Sequence, residues 1–424
     1  MAGPQASETV PLYPEVRRGD VLLGAWRAIE SNALTSQRTR TKDDARKFGA
    51  DLPRNLRRLQ TRLRNGYKFS PAYGATPPKG VGKQGKRPIT VACLEDRVVQ
   101  RAILDVLQNA PDLPRIKEIL ATPTSVGGIP GRGVDNALEL FEGCVARGYQ
   151  YVAGSDIADF FNQIPKPAVV DFISTEVADP DFIELFRSAL QVELSNAAVM
   201  PPEDYKLFPT GDDGVAQGCP LSALAGNIVL HDFDTEMNDP TRGLVCIRYI
   251  DDFILVGRER RHVQKGMDAA RGILRNLQMD AYDPAVDKKK AFIGRIGEPL
   301  MFLGHELSPG RYPPSPDAQR KFKASIDDLI RQGQKALHKG VLGRSIKPWE
   351  KPFAATIVAI QNATKGWRGT YRSSSCPEVF ADLDRWVLRR VTDFERYLDT
   401  TAPRSAPEGR LAALGIQPMA GAAR

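Results

Sequence analysis

The 424-residue chain has only five cysteines (Cys93, Cys144, Cys219, Cys246 and Cys376) and four histidines. No two cysteines form a CxxC, which excludes a zinc ribbon or disulfide framework and suits a reducing cytoplasm. The histidines His231, His262, His305 and His338 are scattered, so no metal is assigned to them. No apolar run is long enough to span a bilayer, and the N-terminus lacks the charged-then-apolar layout of a signal peptide. There is no internal repeat. Nor is there an acidic excess: the net charge is +8, which favours a polyanionic partner.

At this length one ordinary core is not enough, so two or three lobes are expected. Residues 1–20 are polar and proline-bearing and read as a flexible N-terminus. Residues 38–68 carry eleven Lys or Arg against three Asp. Within them Leu52, Leu56, Leu59 and Leu63 recur at helical spacing, with Arg54, Arg57, Arg58, Arg62 and Arg64 off that stripe. Such a helix either solvates its arginines or tracks a phosphate backbone with them. A Pro/Gly/Lys loop over 70–90 leads into a strand, followed by the helix LEDRVVQRAILDVLQNA. A strand is expected over 150–157, one long helix over 220–237 opened by Pro220, and a strand or hairpin at PLMFLGHELS. Beyond 315 the pattern is helical and basic, and the last residues form an Ala/Pro/Gly/Arg tail.

Two acidic sites interrupt otherwise apolar, strand-prone segments. LVCIRYIDDFILVG places Asp251 and Asp252 at the tip of a hairpin, and YVAGSDIADFFNQIPK delivers Asp156 at the end of a strand. Buried carboxylates cost several kcal/mol unless cations or donors meet them. Arg248 could pair with one of these but not neutralise three. Divalent ions such as Mg²⁺ could, because hard cations take carboxylate oxygens and leave room for water and phosphate. Two such ions about 3.5–4 Å apart would form a clamp for phosphoryl transfer.

YIDD resembles the Tyr-x-Asp-Asp box of reverse transcriptases, and SDIADFFNQI resembles the first palm motif of that family. VAQGCPLSALAGNIVLHDFD resembles the Gln-Gly segment and its helix. GKRPITVACLEDRVVQRAIL resembles the fingers segment of the group II intron-like bacterial branch. SVGGIPGRGVDNAL resembles that branch's Gly-Arg-Gly segment, FLGHEL its primer-grip hairpin, and GWRGTYRSSSCPEVFADLDRWVLRRV its thumb and maturase-like helix. The matches keep the family's order from about residue 50 to 395.

The resemblance implies an α+β right-hand polymerase fold. It divides the chain into a flexible N-terminus (1–20), fingers with basic N-terminal helices (21–150), palm (151–312), helical thumb or maturase-like lobe (313–398) and flexible tail (399–424). It implies RNA-directed DNA synthesis with two Mg²⁺ ions, Mn²⁺ being an alternative. Asp156, Asp251 and Asp252 would be the catalytic carboxylates and metal ligands, joined by the Ile157 carbonyl. Phe161 would be the aromatic gate against a ribose 2′-hydroxyl, with core packing beside Phe160 as its plainer reading. Gln217 would lie near the incoming nucleotide, and Lys86 and Arg87 would meet its triphosphate, with Lys79 and Lys83 as further cations on the same loop. Lys288, Lys289 and Lys290 resemble the lysine after the palm hairpin; the sequence does not choose among them, and Lys289 stands for the run. Phe302, Leu303 and Gly304 would hold the primer end. Tyr249, Trp367 and Trp386 are read as packing.

Three departures stand out: Ser222–Ala223 where the family usually has Ser-Pro, Ala216 before Gln217–Gly218 where it often has proline, and a long stretch 172–214. These favour a specialised offshoot over the intron-encoded type. No Cys/His or His-Asn-His constellation follows the thumb, so a mobile-element endonuclease is not expected. The partners implied are an RNA template (a dedicated non-coding RNA is one option), a DNA primer or cDNA product, and deoxynucleoside triphosphates. No membrane is expected, and the oligomeric state is open. Two contexts, anti-phage defence and an intron or retron setting, fit equally. The rival activities are an RNA-binding maturase-like protein, a template-independent or protein-primed DNA polymerase and, less favoured, an RNA-dependent RNA polymerase.

Overall fold

The computed structural model describes residues 11–35, 39–78, 85–347, 349–402 and 407–416. Lys79 and Lys83 lie outside them. The chain forms two compact units, divided between Arg295 and Ile296, upstream of the palm–thumb boundary expected at 312.

The first unit is built on a four-stranded antiparallel sheet. Its strands are β3 (Tyr151–Asp156), β4 (Leu244–Tyr249), β5 (Asp252–Gly257) and β6 (Ala291–Arg295), in the order β4-β5-β3-β6. A short ribbon of β1 (Tyr73–Ala75) and β2 (Ile89–Val91) stands apart from it. Residues 253–256 are Phe, Ile, Leu and Val, all buried, so the central strand is apolar on both faces rather than alternating. Phe253 and Leu255 join the main core, where Phe253 meets Phe233 edge-on at 5.6 Å. Helix Gly19–Thr35 packs on Leu94–Asn109, whose Val98, Val99, Ala102, Ile103, Leu104, Val106 and Leu107 are buried as its periodicity demands.

Several expectations need correction. Residues 220–237 form two helices, Ser222–Val229 and His231–Met237, because Leu230 leaves helical geometry at φ −95°, ψ 7°. That bend lets Leu230 and Phe233 both sink into the core, while the apolar periodicity runs on through it unchanged. The N-terminus is not loose over residues 11–20. Leu12 and Val16, one turn apart, are buried, and the Tyr13 hydroxyl donates to the Leu63 carbonyl at 2.5 Å.

The second unit contains the hairpin of β7 (Met301–Phe302) and β8 (His305–Glu306), then helices Pro316–Val341, Phe353–Thr370, Pro377–Thr401 and Pro407–Leu414. Phe322, Ile326, Ile330 and Leu337 form the apolar stripe of the first helix, facing Ile360, Leu383, Phe394 and Leu398. Trp367 stacks with Phe322 at 4.7 Å and Tyr371 at 4.6 Å, and Trp386 is partly buried against the same core. The tail is ordered where Ala413 of the last helix is buried, a second correction to the expected flexible ends.

Candidate active site

β4 and β5 are joined by the two-residue turn Ile250–Asp251, since Tyr249 pairs with Asp252 across the ladder. Ile250 has φ 60°, and Asp251 does not share the positive sign, the pattern of a type II′ hairpin. A β-branched residue there is strained by about 1–3 kcal/mol, a cost that persists only where the surroundings impose it. The turn aligns with the C-terminal end of β3: Asp156 is the cross-strand partner of Asp252, and the Ile157 N–H donates to the Asp251 carbonyl at 2.9 Å. Three carboxylates from two segments 95 residues apart are thereby gathered at one end of the two central strands.

Burial raises the Asp252 carboxyl above its ordinary range, reinforced by its hydrogen bond to Asp156 and by the charges of Asp156 and Asp251. Burial also raises Asp251, as does Asp156; Lys290 and Arg87 oppose that shift. The site is therefore short of positive charge. Lys290 supplies some, bonding directly to Asp156 and lying 5.0 Å over the Tyr282 ring. Of the three lysines it is Lys290 that reaches the carboxylates; Lys288 and Lys289 are exposed. Among the described residues, no group of three or more His, Cys, Asp or Glu side chains converges at metal-ligand spacing. The donor chemistry nonetheless fits hard divalent cations, because these oxygens carry more negative charge than their neighbours offset.

Backbone hydrogen bonds tie the segments that carry Phe161 and Gln217 to their neighbours. The Val215 N–H donates to the Phe161 carbonyl at 2.7 Å, and the Thr90 N–H reaches the Gln217 carbonyl at 3.4 Å. Phe160 is fully buried while Phe161 is half-buried beside it, their rings 5.4 Å apart. Arg87 is exposed, and its charge partly opposes the upward shift of Asp251. Lys86 is instead engaged by Asp204, with Nζ 2.6 Å from Oδ1. Thr76 donates to the same carboxylate at 3.0 Å, so the stretch 172–214 ties down the loop that carries Lys86.

The basic helix Leu52–Arg64 buries Leu59 and Leu63 as its stripe requires. Its arginines divide. Arg58 and Arg62 both bond Glu95, and Arg62 lies 4.4 Å over the Tyr67 ring. Arg54, Arg57 and Arg64 face solvent, Arg54 3.9 Å from Asp51. In the second unit Phe302 is buried, and Leu303 (φ 49°) and Gly304 (φ 79°) form the hairpin turn.

The expected pairing of Arg248 with a catalytic aspartate is a correction. Arg248, buried in the core, instead pairs with Asp234, a residue the sequence reading left without a role. An acid that directly follows the exposed Asp232 and the buried Phe233 carries no local mark of such a partnership.

Residues 77–307 match the family model described as reverse transcriptase (RNA-dependent DNA polymerase). Protein YkfC of Escherichia coli (strain K12) is 26% identical over 61% of this chain and 72% of its own length. An uncharacterized 91 kDa protein in a cob intron of Schizosaccharomyces pombe is 31% identical over 40% of this chain, which spans only 19% of it. Among solved structures, a chain of a partial Cas6-RT-Cas1–Cas2 complex matches 66% of this chain and 44% of its own length, at 21% identity and TM-score 0.34. That overlap is too partial to bear on function or partners. The family match covers more than half of the sequence and contains all three carboxylates: this chain belongs to the reverse transcriptase family and has its α+β right-hand polymerase fold.

Proposed function

We propose that the protein is an RNA-directed DNA polymerase that extends a DNA 3′-hydroxyl along an RNA template, with Asp156, Asp251 and Asp252 as its catalytic carboxylates. The observation that carries this reading is the cross-strand pairing of Asp156 with Asp252 beside the strained Ile250–Asp251 turn. The aspartates, with the Ile157 carbonyl, would hold two Mg²⁺ ions, Mn²⁺ substituting. Bound there, the ions supply charge for the attacking and leaving oxygens of the phosphoryl transfer. This chain's own residues position the reactants. Phe161 excludes a 2′-hydroxyl by bulk. Gln217 and Arg87 flank the nucleotide, Arg87 offering a bidentate fork to phosphate. Lys290, bonded to Asp156, would pass a proton toward the pyrophosphate side. Lys86 joins the triphosphate only after leaving Asp204. Phe302, Leu303 and Gly304 hold the primer end, and Arg54, Arg57 and Arg64 track the nucleic-acid backbone.

The biological role we infer is that of a free-standing bacterial, cytoplasmic enzyme of the group II intron-like branch, copying a dedicated RNA in anti-phage defence. A second reading, an RNA-binding protein of the maturase kind, draws on charge. Residues 296–424 hold 20 Lys or Arg against 13 Asp or Glu, most of the chain's net +8. The two separate when the protein is purified from cells and its bound nucleic acid is sequenced, for the native chain and for Asp251→Ala with Asp252→Ala. One abundant RNA with complementary DNA that vanishes in the variant supports the polymerase on a dedicated template. RNA without DNA in both samples supports binding alone.

A further inference from the structure

Arg248 is one of the largest fully buried side chains in the molecule, 1% exposed, and its partner Asp234 is 2% exposed. The pair is a fork: Nε donates to Oδ1 at 2.7 Å and Nη2 to Oδ2 at 2.6 Å. Two further bonds leave the guanidinium. Nη2 donates to the Ser125 hydroxyl at 2.8 Å, and Nη1 donates to the carbonyl of Ile250 at 2.8 Å. The Arg248 backbone is bound as well, its N–H to Thr124 and its carbonyl to the N–H of Val126, both at 2.9 Å.

The same few residues close over Ile250 from outside. A Cβ on Gly127 would stand 2.5 Å from the Ile250 nitrogen, and one on Gly128 3.1 Å from its Cδ1. The backbone of Gly127 thus lies directly on the turn, while Gly128, at φ 71°, is closed in chiefly by Ala223, whose Cβ would stand 2.5 Å away, so neither glycine tolerates a side chain. Asn227, also buried, donates from Nδ2 to the Gly127 carbonyl at 3.0 Å and fixes that cover in place.

A buried ion pair is weak evidence for stability, because an apolar pair of similar volume is often as stable or more so. What an apolar pair cannot do is bond a carbonyl. Arg248 spends one donor on the Ile250 carbonyl, in the peptide that joins the strained residue to Asp251. Rotation of that peptide would swing Asp251 away from Asp156. We infer that Arg248 is a positioning residue for metal binding: held by Asp234, it locks the Ile250–Asp251 peptide and so sets the placement of Asp251 and Asp252 against Asp156. This inference rests on the assignment of those aspartates as metal ligands.

The test is Mn²⁺ binding, followed by the electron paramagnetic resonance of free Mn²⁺. It uses the full chain with a dideoxy-terminated primer on an RNA template and the matching deoxynucleotide, alongside thermal melting. Two variants probe the lock. Arg248→Lys keeps the charge on Asp234 but cannot make the fork and still reach Ile250. Arg248→Met with Asp234→Leu removes the pair and leaves an apolar fill. The expected result is native-like melting in at least one variant with Mn²⁺ binding weakened tenfold or more. Native-like melting with unchanged Mn²⁺ binding overturns the inference. So does loss of native melting in both variants, which would make the pair a folding element only. Asp251→Ala with Asp252→Ala separates this failure from a deeper one: if that variant binds Mn²⁺ as the native chain does, the ligand assignment itself is wrong.

Discussion

At the scale of single residues, the site is a contest over negative charge. Asp252 and Asp251 are pushed toward their neutral forms, Arg87 and Lys290 push back, and Arg248 is spent on Asp234 instead. The acid identities were legible in the sequence because two aspartates in a run such as RYIDDFILV have no packing reason to be there. The pairing of Arg248 was not, since sequence proximity favours the aspartates three and four residues away over one fourteen residues back. Likewise three adjacent lysines looked equivalent until the chain direction after residue 287 set Lys290 alone against Asp156. Phe161 carries the sharpest prediction at this scale. Its ring is half-exposed while that of Phe160 is packed against Gly226. Phe161→Ala should raise incorporation of ribonucleotides relative to deoxynucleotides by about tenfold or more, by removing the clash that rejects a 2′-hydroxyl. Single-nucleotide incorporation with the two substrate classes measures it, and an unchanged ratio would return Phe161 to plain core packing.

At the scale of elements, the hairpin owes its geometry to what presses on it. β4 and β5 were readable from β-branched and aromatic content, but both aspartates were expected at the tip, whereas the turn is Ile250–Asp251 and Asp252 already opens β5. The backbone cover over the turn was not readable: SVGGIPGRG signals a loop by its glycines but not which turn it lies against. The division of 220–237 at Leu230 was hidden too, because a bend that keeps both apolar faces buried leaves the helical pattern intact. Gly127→Ala tests the cover. Its methyl would sit 2.5 Å from the Ile250 nitrogen, and overpacking of this kind costs about 1–3 kcal/mol. We expect a lower melting temperature and a larger loss in kcat than in nucleotide KM. Gly272→Ala, at a helical glycine with open space around it, should show neither effect. Equal behaviour of the two variants would mean that the cover does not constrain the turn.

At the scale of the whole molecule, two units with separate cores share one chain, and the acidic site lies entirely in the first. The order of motifs had put a boundary at 312; the division at Arg295 has no composition shift to announce it. Charge couples the site to the stability of its unit. A carboxyl whose folded value is raised stabilises the fold fully only below its unfolded value near 3.9, and that contribution is lost as pH climbs through the folded value. The metal-free protein should therefore lose stability on this account as pH rises above about 4. Mg²⁺ displaces protons from the same oxygens, so its stabilising effect should be larger at pH 8 than at pH 5. Calorimetric melting with and without Mg²⁺ should show that difference in the native chain and a much smaller one in Asp252→Asn. Equal Mg²⁺ effects at the two pH values would contradict a metal site at these carboxylates.

The most direct measurement is extension of a DNA primer on a defined RNA template by the purified full chain with deoxynucleotides and Mg²⁺, beside Asp252→Asn and Asp156→Asn. Templated product from the native chain, at least 10³-fold less from either variant, and native melting in both is the predicted result. Extension that survives both substitutions, or that ignores the template sequence, would contradict the assignment of these aspartates and of the reaction they serve.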